Sequence, residues 1–355
     1  MASVIHVETN KKYDVEVGAG LLLTCGDKIK AITGTCRAAI ITDSNVSKLY
    51  LNKVEKSLEQ AGFNTDSFVF KAGEGSKNIE TLSDILEFLA ENNYTRTDIL
   101  VALGGGVVGD ITGFAASVYL RGVRFVQLPT TLLAMVDSSV GGKTAVDLKA
   151  GKNLAGAFYQ PEVVLADTET LKTLNRQELA NGFAESIKYG VLFDKKLFDL
   201  FDCDLDDEKL ERAISECIAH KARVVKNDEF DLGERKLLNL GHTIGHAIEK
   251  CSGYATPHGH AVAAGMAMIA RASEKMGLAE AGTSEKIEKM LLRYNLPVDC
   301  DIYEDKELYF TSLGDKKREG GSITLVIPEK IGGSVLRKEA VADLEKYITL
   351  GKKGN

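Results

Sequence analysis

The sequence predicts an α/β chain of two domains. A Rossmann-like domain built on a parallel sheet takes residues 1–175, and a mainly α-helical domain takes residues 176–355. Three observations predict it. Short apolar runs alternate with amphipathic helical stretches through the first half. A glycine-rich turn, GGGVVGD, joins an apolar run to a helical pattern. From about Gln177 onward helical periodicity dominates.

The N-terminal stretch MASVIHVETNKKYDV alternates apolar and polar residues and reads as a strand. CRAAIITD reads as a buried strand ending at Asp43, and SNVSKLYLNKVEKSLEQAG follows at helical spacing with Gly62 as its stop. NTDSFVFKAG is the next strand, NIETLSDILEFLAENNY the next helix, and TDILVALGGG and VRFVQLPTT two further strands. In the second half, ELANGFAESIKYGVLF, DEKLERAISECIAHKARVVKN, TIGHAIEKC and HAVAAGMAMIARASEKMG read as helices. GSITLVIPE and GGSVLRKE form a predicted hairpin, and VADLEKYITL closes as a helix.

A chain of 355 residues buries a large core. The formal net charge of −7 and the lack of a dense basic run with aromatics argue against nucleic acid, but not against a phosphorylated metabolite. No apolar run is long and charge-free enough to span a bilayer, and the start lacks the apolar stretch of a signal peptide. Six cysteines without a CxxC pair suit reduced thiols, so the expected setting is cytoplasmic, with no membrane partner.

Gly104, Gly106 and Gly109 satisfy G-x-G-x-x-G between a strand and a helix. Such a turn lets backbone N–H groups approach a pyrophosphate. It stands late in the chain, and no acidic residue follows about 20 positions on, so it is not the usual dinucleotide fingerprint. Asp43, the run Gly73-Glu74-Gly75-Ser76-Lys77 and Thr130-Thr131 occupy other strand ends, where ligands of open α/β sheets collect. Together these favour a dinucleotide over a turn that only packs strand on helix.

DSSVGGKTAVDLKAGKNLAGAFYQP brings Asp137, Gly141, Gly142, Lys143, Lys152 and Asn153 close in sequence, without a full phosphate-loop motif. Glu185 and Lys188 are i, i+3 on a helix whose neighbours Phe183, Ile187 and Tyr189 demand burial. Four of the six histidines, His242, His246, His258 and His260, crowd into Leu238–Val262. A mixed carboxylate and imidazole site with open positions is what a catalytic metal needs. His242 and His246 are i, i+4, but Thr243 stands where a zinc protease has its glutamate. Spacing alone leaves the choice among the four histidines open.

The motifs GGGVVGD, RGVRFVQLPTTLLAMVDSSVGGKTAV, GKNLAGAFYQP, AESIKYG, LLNLGHTIGHAIE and HGHAVAAGM, in that order, resemble the 3-dehydroquinate synthase family over nearly the whole chain. The resemblance implies an NAD-binding first domain and a metal-binding second domain. It also implies conversion of 3-deoxy-D-arabino-heptulosonate 7-phosphate, a phosphorylated sugar acid, to 3-dehydroquinate and phosphate in the shikimate route. By position it places metal ligands for Zn2+ or Co2+ at Glu185, His242 and His258, with His246 a catalytic histidine. It places NAD contacts at Asp43, Gly73, Glu74, Lys77, Gly105, Gly106, Val107, Val108, Gly109, Asp110, Thr130, Thr131, Lys143, Lys152, Thr170, Leu171, Lys172 and Thr173. Substrate positions fall at Asp137, Lys143, Lys152, Asn153, Lys188, Lys221, Arg235, Asn239 and a lysine of Asp315-Lys316-Lys317. Arg121 matches an arginine that reaches the phosphate from a neighbouring subunit, which implies a homodimer.

The chain departs from the family where His258-Gly259-His260 replaces the common HGE, at Ala72 and at Asp231. Three rival readings follow from the same residues. A polyol dehydrogenase of the glycerol dehydrogenase type would yield net NADH. A sister sugar-phosphate cyclase would take sedoheptulose 7-phosphate or glucose 6-phosphate. A catalytically dead sensor would need no open metal site.

Overall fold

The computed structural model describes residues 2–313, 318–319 and 321–354, with residues 318–319 in backbone alone. Two compact units emerge. Met1–Leu174 and Lys221–Phe230 form the first, and Asn175–His220 and Asp231–Asn355 form the second. Lys221–Phe230, inside the stretch 176–355 expected to form the second domain, packs with the first unit.

The first unit is built on a seven-stranded sheet. Its strands are β1 (Ser3–Val7), β2 (Tyr13–Gly18), β3 (Arg37–Asp43), β4 (Asn64–Phe70), β5 (Ile99–Gly104), β6 (Arg124–Pro129) and β9 (Val163–Asp167), in the order β1-β2-β9-β6-β5-β3-β4. Only β1 runs antiparallel to its neighbour. Strands buried on both faces read as continuous apolar runs, and β3 and β5 do. Alternate residues feed opposite cores. Ile40 joins Ile29, Val54 and Leu58 on one side, while Ile41 joins Ile85, Leu89 and Ile111 on the other.

Helices α1 (Cys25–Thr33), α2 (Asn52–Ala61), α3 (Ile79–Glu91) and α4 (Gly106–Val118) supply those partners. The Asn78 side chain caps the start of α3 by accepting from Thr81 N at 2.8 Å. The helical stretch after Asp43 opens with a π turn, Ser47–Leu51, before α2 begins. A second π turn, Ala134–Ser138, carries Asp137. Strands β7 (Lys143–Leu148) and β8 (Gly151–Phe158) form a separate antiparallel pair.

The second unit holds α5 (Arg176–Phe193), α6 (Lys195–Leu200), most of α7 (Asp207–Asn227), α8 (His242–Cys251), α9 (His258–Lys275), α10 (Thr283–Arg293), α11 (Asp305–Ser312) and α12 (Leu344–Gly351). Strands β10 (Arg318–Glu319), β11 (Ser322–Lys330) and β12 (Gly333–Ala340) make a small antiparallel sheet, with the predicted hairpin as its β11–β12 pair. Helix α5 is buried from Ala180 to Leu192, so it carries any charge it bears into the core. Among the described residues, no helix is long and apolar enough to cross a membrane, and all six cysteines are free thiols.

Candidate active site

In the second unit three helices converge on one point. Glu185 rides on α5 and is fully buried. His242 opens α8 and His258 opens α9. Glu185 Oε1 lies 3.7 Å from His242 Nε2 and 3.5 Å from His258 Nε2. The spacing of α8 and α9 is set by glycine. A Cβ on Gly265 would fall 2.2 Å from the Gly241 oxygen, and one on Gly241 would fall 2.6 Å from the Val262 oxygen. Gly241 also has φ of 79°, in the left-handed region that favours glycine, so the turn into α8 depends on it twice.

The hydrogen bonds behind the two rings fix their tautomers. His242 Nδ1 donates to the Leu240 carbonyl at 3.1 Å, and His258 Nδ1 donates to Glu249 Oε2 at 3.1 Å. Each ring thereby turns its Nε2 toward Glu185, a nitrogen that carries a proton to the carboxylate in the imidazolium and offers a lone pair in the neutral ring. Burial pulls the His258 imidazolium down, but the hydrogen bonds and charges of Glu185 and Glu249 outweigh it and push the group up to about 10. Proton and cation compete for such a nitrogen.

Among the described residues two donor groups have all their ligand atoms within 4.8 Å: Glu185, His242 and His258, and the overlapping set His246, Glu249 and His258. His246 lies beside the first group, its ring centroid 5.4 Å from that of His242 and 6.1 Å from that of His258. Lys188 forms an ion pair with Glu185, and neither side chain is more than 1% exposed. Arg235 is also buried in this unit. Asn239 Nδ2 donates to the Lys236 carbonyl at 3.1 Å. Lys316 and Lys317 lie outside the described residues.

The first unit carries the remaining predicted positions that the structure describes. Gly105 and Gly106 open α4, whose first N–H groups have no acceptor within the helix. A Cβ on Gly105 would crowd Thr131 at 3.2 Å, and one on Gly106 would crowd Ser138 at 3.1 Å. Thr130 N donates to the Gly104 carbonyl at 2.9 Å, tying β6 to the glycine turn. Asp43 Oδ1 accepts from Asn45 N at 2.8 Å and Val46 N at 3.0 Å, which fixes its carboxylate at the end of β3. Val108 and Leu171 turn their side chains into the core.

Gly73 has φ of 113° and precedes the short turn that carries Glu74. Lys77 is buried, and its Nζ donates to Asp110 Oδ2 and to Asn153 Oδ1, each at 2.5 Å. Burial alone would lower that ammonium; the charges of Asp110 and Glu74 more than reverse it. Lys152 Nζ stands 3.8 Å from Glu74. Thr170 Oγ1 donates to the Asp167 carbonyl at 2.8 Å, and Thr173 Oγ1 meets Tyr50 OH at 2.6 Å. Lys172 pairs with Glu169 on the surface.

Lys221, from the segment that rejoins this unit, donates to the backbone carbonyl of Asp137 at 2.5 Å and also meets its carboxylate. Glu229, near the end of that segment, accepts from Asn10 N at 3.0 Å and Gln160 Nε2 at 2.9 Å, which anchors it. Lys143 is exposed directly after Gly141 and Gly142. Arg121 is exposed in a turn where Leu120 and Arg121 both have positive φ, 48° and 70°.

Sequence reasoning missed Glu249 and Asn181. Glu249 stands seven residues after His242, two helical turns along the same face, and that spacing is a usable signal. Asn181 stands four residues before Glu185; nothing in the sequence marks it, because its partner His260 lies 79 residues away.

Comparison with known proteins bears on the same residues. A family model of the N-terminal part of 3-dehydroquinate synthase matches residues 67–181, and one of its C-terminal part matches residues 182–318. A 3-dehydroquinate synthase of Clostridium acetobutylicum is 44% identical over 341 residues, covering 95% of this chain and 96% of its own. One from Enterococcus faecalis is 46% identical over 341 residues, covering 95% of each. The crystal structure of a 2-deoxy-scyllo-inosose synthase, complexed with carbaglucose-6-phosphate, NAD+ and Co2+, shares the fold with a TM-score of 0.88 at 24% identity, over 98% of this chain and 99% of that one. Two abutting family models take in the glycine turn, the buried Glu185 and all four clustered histidines, and the identity to relatives extends almost end to end: the chain belongs to the 3-dehydroquinate synthase family.

Proposed function

We propose that the chain converts 3-deoxy-D-arabino-heptulosonate 7-phosphate to 3-dehydroquinate and phosphate, a carbon–oxygen lyase step of the shikimate route. The conversion involves no net redox change, so NAD would be needed only in catalytic amount. The observation that carries the reading is the convergence of a buried carboxylate and two imidazoles, Glu185, His242 and His258, in a chain of this family.

The donor set suits Zn2+ or Co2+. One carboxylate and two neutral imidazoles leave positions open for substrate oxygens. The overlapping group is the poorer ligand set, because Glu249 already accepts from His258 Nδ1. Glu249 therefore orients His258, and His246 keeps a separate role. The first unit suits NAD: Gly105 and Gly106 leave a cradle that a Cβ would fill, at the N-terminus of α4.

When bound, NAD takes and returns a hydride and the cation acts as a Lewis acid toward substrate hydroxyls. The chain's own residues bind and orient. Lys143, Lys152, Lys188, Lys221 and Arg235 supply cations for the substrate carboxylate and phosphate. Glu185 fixes the Lys188 ammonium, and Asp137 fixes that of Lys221. Asn153 fixes Lys77 through its side-chain oxygen. Transient oxidation acidifies the neighbouring C–H, and the departing phosphate can take that proton with its own oxygen, so a strong side-chain base is not required. His246 and Asn239 hold the reacting groups for ring opening and the intramolecular aldol closure. Arg121 serves the phosphate of a second copy, which makes a homodimer the working assembly.

The test mixes purified protein with NAD, Co2+ or Zn2+ and the seven-carbon acid phosphate. Inorganic phosphate and the cyclic product are expected in equal amounts, without accumulation of NADH. Net NADH from a polyol would sink the reading in favour of a dehydrogenase. Turnover of sedoheptulose 7-phosphate or glucose 6-phosphate in place of the acid would sink the substrate assignment.

A further inference from the structure

Two residues outside the donor set grip the first turn of α9, where His258 sits. Asn181 lies one turn before Glu185 on α5 and is only 7% exposed. Its Oδ1 can only accept, so the 2.9 Å contact is a hydrogen bond donated by His260 Nδ1. Between the two histidines, Gly259 lies directly on the Asn181 backbone. A Cβ at Gly259 would stand 2.4 Å from the Asn181 carbonyl oxygen and 2.6 Å from its Cα. The main chain of α5 therefore sets how near α9 begins, and the Asn181–His260 bond sets how its first turn is rotated. Glu185 is one turn further along α5 and His258 two residues back on α9, so both contacts act on the pair whose nearest donor atoms lie 3.5 Å apart. His260 belongs to neither donor group that converges within 4.8 Å.

We infer that Asn181, Gly259 and His260 form a clamp that positions His258 against Glu185, with His260 a positioning residue and not a ligand. The glycine contacts between α8 and α9 fix His258 relative to His242; the clamp fixes it relative to Glu185. Without the Asn181–His260 bond the first turn of α9 can rotate about its contact at Gly259, and the His258 Nε2 lone pair swings off the common point. Residues that orient a ligand in this way govern metal affinity by about 10- to 100-fold.

The inference rests on the metal reading proposed above, and its test reads metal binding, not turnover. The full-length chain, stripped with a chelator, is titrated with Co2+ alone, following bound cobalt by equilibrium dialysis and its visible absorption. His260→Ala and Asn181→Ala are each expected to weaken Co2+ binding about 10- to 100-fold, while NAD affinity stays unchanged. His260→Asn keeps an amide N–H at the position of the ring Nδ1 for the Asn181 oxygen and is expected to recover most of the affinity. The double variant is expected to bind no more weakly than either single variant, because both remove one bond. Failure of the unaltered chain to bind Co2+ overturns the metal reading and the clamp together. Normal binding in both alanine variants beside a binding unaltered chain overturns the clamp alone. So does additive loss in the double variant. If His260→Ala also lowers the melting temperature of the metal-free chain, a His260→Asn variant that restores that temperature without restoring affinity overturns it as well.

Discussion

Lys188 lies one helical turn beyond Glu185 on α5, and the two form an ion pair sealed inside the second unit, each side chain at most 1% exposed. Neither charge has solvent to fall back on, and Glu185 shares its carboxylate between Lys188 and the rings of His242 and His258. Taking away one partner of a buried pair costs about 3–5 kcal/mol. Lys188→Ala is therefore expected to lower the melting temperature of the metal-free chain sharply. Co2+ or Zn2+ at Glu185 replaces the lost charge, so added metal should recover more stability in the variant than in the unaltered chain. Turnover should fall about 100-fold or more with metal present. Identical melting curves for both chains, with and without metal, would remove Lys188 from its assigned place.

The bond from His258 to Glu249 yields a pH prediction. In the metal-free chain His258 is raised to about 10 from an ordinary value of 6.5. A group raised on folding adds stability that is complete below its unfolded value and lost as pH climbs through the folded one. The metal-free melting temperature should therefore decline between pH 6.5 and 10, through this group, and decline less in Glu249→Gln. Over the same range Co2+ affinity should rise, because the proton it displaces is leaving. A Glu249→Gln variant with unaltered melting and Co2+ profiles would show that Glu249 does not act on this ring.

Lys77 joins Asp110 on α4 to Asn153 on β8. Lys77→Met should weaken NAD binding, read by calorimetry on the full chain, and lower its melting temperature. Co2+ affinity should be unaffected, since every donor lies in the other unit. Loss of Co2+ binding in this variant would refute the division of labour between the two units.

The cysteines differ in reactivity. Cys203 is exposed, whereas burial pushes the Cys25 thiol up to about 11 and that of Cys300 up to about 12. The thiolate is the nucleophile. Iodoacetamide at pH 8 should mark Cys203 first in the native chain and leave Cys25 and Cys300 untouched until denaturant is added, as read by peptide mass. Early labelling of Cys300 would contradict its burial.

Much of this was legible in the sequence, and the parts that were not share a cause. The strands β3 and β5 announce themselves because both faces are buried, and α5 declares its burial through Phe183, Ile187 and Tyr189 around Glu185. Local periodicity reports local burial. It cannot report that α7 ends in the first unit, because that depends on anchors such as Glu229 with Asn10, which are 219 residues apart. The π turn at Ser47–Leu51 was invisible because a single inserted residue leaves helical composition unchanged. The four histidines were conspicuous, but their spacing does not show that His242 and His258 are the two whose Nε2 atoms face Glu185. Their supporting residues, Glu249 and Asn181, are ordinary side chains made special only by their partners.

Gly241 and Gly265 leave bare main chain where α8 crosses α9. Among random sequence changes, a single added methyl at either place should rank with outright loss of a donor, though it touches no reactant. A saturation screen scored on growth without aromatic amino acids would then find a second class of null alleles, at positions no inspection of the chemistry would nominate.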